Sequence, residues 1–113
     1  MNILLEFIDG LDIHGKLIAN PSATFLCRVA GDSMQEEAIY PGDIVIVDRS
    51  LKSKQGQIVV AAINGGFTLK KLIKGMTNWE LHPANRQYPI LVLHEHDELT
   101  IFGTVVGVVR KLI

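Results

Sequence analysis

Two short stretches of the 113-residue chain carry residue types that can do covalent chemistry. In Gly31-Asp32-Ser33-Met34 a serine ends an apolar, strand-like run; in Phe67-Thr68-Leu69-Lys70-Lys71-Leu72 two lysines sit inside another. A serine hydroxyl attacks a carbonyl poorly until a base takes its proton. A lysine amine can be that base if burial lowers its pKa and leaves it neutral. Each stretch also has a plainer reading. Ser33 could cap a helical turn over Gln35 to Ile39, and paired lysines on a strand commonly keep an edge solvated. Alternation does not choose between the lysines. Phe67, Leu69, Lys71 and Ile73 share one face and Thr68, Lys70 and Leu72 the other, which puts Lys71 on the more apolar side.

Other chemistries find less support. A Ser-His-Asp arrangement would need one of His14, His82, His94 or His96 beside Ser33. His94 and His96 lie among Glu95, Asp97 and Glu98, in what reads as an exposed loop. Their spacing suits a metal pair, but no third ligand spacing accompanies it. No glycine-rich phosphate loop occurs. Neither a metal nor a cofactor is expected. The single cysteine, Cys27, excludes an internal disulfide framework, fits a reducing compartment, and reads as a packing residue in mid-strand.

The elements that must position Ser33 and a lysine are strands. Ala23 to Ala30 alternates, with Phe25, Cys27 and Val29 on one face. Tyr40-Pro41-Gly42-Asp43 is a turn, and Ile44-Val45-Ile46-Val47 is a β-branched run suited to burial on both faces. Asn64-Gly65 between two apolar runs, Gln57 to Ile63 and Phe67 to Ile73, is a hairpin signal. Short strands follow at Trp79 to His82 and Ile90 to Leu93. Leu99 to Ile113 closes the chain as a long β stretch whose Gly103 and Gly107 suggest bulges. The pattern predicts a single all-β domain, curled and barrel-like, over residues 21–113, preceded by a short N-terminal arm over residues 1–20. Hydrophobic residues make up 48% of the chain and charged residues 20%, which excludes a disordered polymer. The net charge of −1 supplies no basic field, so little direct DNA binding is expected. No signal peptide or membrane span is read, and a cytoplasmic setting is the default.

Taken together and in order, the two motifs resemble the LexA/UmuD family of self-cleaving Ser-Lys peptidases, and within it the UmuD branch. Supporting stretches are Pro21-Ser22-Ala23-Thr24-Phe25, Pro41-Gly42-Asp43-Ile44-Val45-Ile46-Val47-Asp48, Gly56-Gln57-Ile58-Val59-Val60-Ala61-Ala62 and Phe102-Gly103-Thr104-Val105-Val106. The resemblance implies a β domain of the LexA/signal-peptidase type. It implies Ser33 as nucleophile and Lys70 as general base, with a bulge or twist near Lys70 to overcome the alternation. The Ser33 backbone, Asp32 and Met34 would support the oxyanion, Met34 packing beneath the site. In the family the substrate is the protein's own arm, cut at a Cys-Gly or Ala-Gly bond on meeting a RecA filament on single-stranded DNA. Here the only Ala-Gly pair before Ser33 is Ala30-Gly31, so the chain reads as a processed form with no substrate segment of its own. The implied role is then a homodimeric accessory subunit joined to a UmuC-type Y-family polymerase in error-prone polymerase V, with a sliding clamp as a further partner. The alternative is the C-terminal autocleavage and dimerisation domain of a LexA-like or phage repressor, which shares the lysine strand and the Gly103 to Arg110 pattern. A type I signal peptidase relative would share the Ser-Lys logic but would need a membrane anchor.

Overall fold

The computed structural model describes Gly15 and residues 17–113, so most of the expected arm lies outside the described residues. A single 3-10 turn, Pro21–Ala23, leads into β1 (Thr24–Arg28). The Gly31 to Met34 stretch and a second 3-10 turn, Gln35–Glu37, precede β2 (Ile44–Asp48). Then come β3 (Ile58–Ile63), β4 (Gly66–Lys74), β5 (Trp79–His82), β6 (Leu91–Val92) and β7 (Leu99–Val109). All seven strands join one antiparallel sheet in the order β1-β2-β7-β3-β4-β5-β6. The all-β expectation is met, and the expected strands appear with small changes at their ends.

Local chemistry explains the connections. In the β3–β4 hairpin Ile63 pairs with Gly66, leaving Asn64 (φ 47°) and Gly65 (φ 87°) as a two-residue loop. Positive φ at both positions is what the primed turn needs to follow the strand twist, and Asn-Gly tolerates it best. The last strand slips register twice. Phe102 has no partner where β7 runs beside β3, and Val106 none where it runs beside β2. Gly103 and Gly107 follow those bulges directly. A Cβ on Gly103 would stand 2.5 Å from a methyl of Val47, so only glycine lets β2 and β7 approach this closely.

Among the described residues no helical layer covers the sheet, which buries its faces by coiling and by carrying loops over them. One core gathers Met34, Ile39, Val45, Val47 and Val60, with Phe25, Cys27 and Val29 of the first alternating run packed against it. The other gathers Val59, Ala61, Leu72, Leu81 and Leu93. Adjacent residues of β3 thus point into different cores, as the period of two requires. The first core lies beneath the Ser33 segment; the second anchors β4 and β5.

Candidate functional site

Ser33 and Lys70 meet. Lys70 Nζ stands 3.1 Å from Ser33 Oγ, across 37 residues of sequence. The amine is also 2.7 Å from Thr68 Oγ1 and 3.1 Å from the Leu69 carbonyl oxygen, and it donates to both. Lys71 goes elsewhere, to an ion pair with Glu37 on the 3-10 turn. The structure therefore separates the two lysines that alternation left open.

It does so without the bulge expected near Lys70. Pairing of β4 with β3 runs unshifted from Gly66 to Lys71, and pairing with β5 is regular from Lys71 to Lys74. The actual device is an open edge. Pairing with β5 begins only at Lys71, so among the described residues the stretch Gly66 to Lys70 has no strand on that side, and the Ser33 segment lies there instead. The four-carbon lysine stem follows this edge, held by Thr68 two residues back on its own strand face.

Nor does Ser33 cap the following turn. Met34 occupies the N-cap position of Gln35–Glu37, and no side chain caps it. Gly31, with φ +79°, turns the chain out of β1 so that the serine is presented rather than buried. Met34 is 1% exposed and locks the segment into the first core.

Ser33 and Lys70 open onto a cleft of about 620 Å³, lined by residues 27–34 and 67–70 together with Phe25, Phe102 and Tyr88. The lining is mostly apolar, and burial pushes the Lys70 amine below the ordinary lysine range. Cys27 also lines the cleft; burial pushes its thiol up, which suits packing and not nucleophilic work. Asp32 turns its carboxylate to the Tyr88 hydroxyl, which donates to it at 2.6 Å and is itself held protonated to higher pH by that bond. The Ser33 N–H has no intramolecular acceptor among the described residues.

Sequence reasoning missed Thr68, Asn85 and Tyr88. Thr68 carried a signal in its spacing of two from Lys70, whereas Asn85 and Tyr88 reach Asp32 across 53 and 56 residues and carried none. His94 and His96 stack on each other with ring centroids 5.8 Å apart, and no group of three metal-ligating side chains stands together among the described residues.

Comparison with known proteins shows the family to which the chain belongs. Protein SamA of Salmonella typhimurium is 41% identical over 101 residues, covering 89% of this chain and 69% of its own length. Protein MucA of Escherichia coli is 38% identical over 96 residues, covering 84% of this chain and 65% of its own. The LexA repressor of Thermotoga neapolitana is 38% identical over 109 residues, 96% of this chain and 55% of the repressor. The chain thus spans about two thirds of the first two proteins and about half of the third. With residues 3–106 matching the model described as Peptidase S24-like, the chain belongs to that family, the LexA/UmuD family of self-cleaving serine peptidases.

Proposed function

We propose that this SOS-related chain works through a Ser33–Lys70 dyad that hydrolyses a peptide bond. The observation that carries the reading is the 3.1 Å approach of Lys70 Nζ to Ser33 Oγ in a half-buried, apolar setting. A neutral lysine amine has two N–H bonds and one lone pair. Thr68 Oγ1 and the Leu69 carbonyl take the two N–H bonds, which turns the lone pair toward Ser33. The Ser33 hydroxyl then donates its proton to Nζ as Oγ attacks the substrate carbonyl. The Ser33 N–H donates to the oxyanion. The Lys70 ammonium returns the proton to the departing amine as the C–N bond breaks. Water, deprotonated by the same amine, releases the acyl group and restores Ser33.

SamA and MucA support an SOS-related, UmuD-like member of the family. The setting we propose follows from the resemblance to the UmuD branch alone: a homodimeric subunit that joins a UmuC-type polymerase in translesion polymerase V, in the cytoplasm, after stimulation by a RecA filament. The comparable LexA match keeps a second reading in play, the autocleavage and dimerisation domain of a repressor. Two experiments test these readings. A quenched peptide carrying an Ala-Gly bond, supplied in trans, should be cut by the wild-type chain. Ser33→Ala and Lys70→Ala should each lower the rate at least about a thousandfold while remaining folded. Lesion bypass by a UmuC-type subunit on RecA-coated single-stranded DNA should require the chain and survive Ser33→Ala. Peptide cleavage without any binding to the polymerase would favour the repressor reading.

A further inference from the structure

The Pro83 to Pro89 loop packs against the nucleophile segment from behind. Its Ala84 N–H donates to the Ser33 carbonyl at 2.7 Å, and the Ala84 carbonyl accepts from the Glu36 N–H at 2.7 Å. Asn85 Nδ2 donates to the Asp32 carbonyl at 2.9 Å. Asn85 is only 4% exposed, although it sits in a polar loop, and it does not line the cleft. Its own Oδ1 accepts from the Gln87 N–H at 2.9 Å, which fixes the amide's orientation.

Peptide planarity gives these bonds a consequence. In a trans peptide the C=O and the N–H point in opposite directions. The Asp32 carbonyl and the Ser33 N–H belong to one such plane. Asn85, with a longer bond from the Gln35 N–H at 3.3 Å, holds the carbonyl toward the loop, so the Ser33 N–H is aimed away from it, on the side where Ser33 lines the cleft. We infer that Asn85 is a positioning residue for the peptidase reaction, acting through the Asp32–Ser33 peptide to aim the Ser33 N–H at the oxyanion. The inference rests on the peptidase reading above. It locates the control of the oxyanion donor on a loop more than fifty residues away from the nucleophile.

The test uses Asn85→Asp, which keeps the acceptor for the Gln87 N–H and loses the donor to the Asp32 carbonyl. Asn85→Ser is the second variant. Its hydroxyl can still accept locally but is too short to span to Asp32. Losing one oxyanion donor outright costs about 10²–10³ in kcat. Misaiming it should lower kcat for the Ala-Gly peptide by about tenfold to a hundredfold. KM should stay unchanged, because Asn85 itself does not line the cleft; for Asn85→Ser, which adds no charge, the midpoint of the pH–rate profile should stay unchanged too. Either variant, folded by circular dichroism and retaining kcat within about twofold of wild type, overturns the inference, as does a loss carried by KM or, in Asn85→Ser, by a shifted midpoint. If wild type does not cut the peptide, or Lys70→Ala cuts it equally well, the peptidase reading itself fails, and the two failures stay distinct.

Discussion

At the scale of single residues the site is decided by how one amine is held. Lys70 has three polar neighbours and an apolar surround, and burial depresses its pKa. A base of this kind works only in its deprotonated form. The rate of peptide cleavage should therefore rise with pH as Lys70 loses its proton, with a midpoint below the ordinary 10.5 of lysine. A pH–rate profile measured on the Ala-Gly peptide checks this. A rate independent of pH, or a midpoint at the ordinary value, would remove Lys70 from the role of base. Ser33 and the lysine pair were legible in the sequence because residue type announces such chemistry. The choice of Lys70 over Lys71 was not legible from alternation. Face periodicity records where a Cβ points, and a long side chain at an unpaired strand edge can depart from it.

At the scale of elements, the segment between Ser33 and β2 is fastened at both ends. The loop behind Ser33 holds the first end, and Arg110, just past β7, holds the second. Its guanidinium donates twice to the Asp43 carboxylate, at 2.6 and 2.7 Å, and once to the Ala38 carbonyl at 2.8 Å. It also lies over the Tyr40 ring. The Arg110 bonds, with the Tyr40 N–H, lower the Asp43 pKa from 3.8 to about 2. A carboxylate whose folded pKa is depressed contributes stability that is complete above its ordinary pKa and is lost as pH falls through the lowered one. Arg110→Ala should lower the thermal midpoint at neutral pH, by on the order of 5 °C. The gap to wild type should close between about pH 4 and pH 2. Melting curves across that range read both effects, and a constant gap would assign Arg110 a packing role only. The Asn64-Gly65 hairpin and the β2 run were legible because short-range rules govern them. The latch was not, since Asp43 and Arg110 are 67 residues apart. The glycines of β7 signalled bulges, but only the structure shows which residues, Phe102 and Val106, lose their partners.

At the scale of the whole molecule, one strand links the two halves of the sheet and also runs beyond them. β7 pairs with β3 from Leu99 to Thr104 and with β2 from Thr104 to Val109. Residues 105–109 therefore have no strand on the β3 side among the described residues. Val106, Val108 and Val109 on this stretch are all more than a third exposed. An open, apolar, β-branched edge is a template for pairing with another chain unless charge or a bulge blunts it. The Val106 bulge twists this edge, but no charged residue occurs before Arg110. With a net charge of −1 the chain has little long-range repulsion to keep copies apart. The proposed homodimer fits this edge, because a two-fold axis lets the same strand serve both subunits in antiparallel pairing. Sedimentation should give the mass of two chains. Val106→Lys combined with Val108→Lys should halve that mass while leaving peptide cleavage in trans intact, since neither residue lines the Ser33 cleft. A monomeric wild type would remove the homodimer. A doubly substituted chain that stays dimeric would move the interface to another surface.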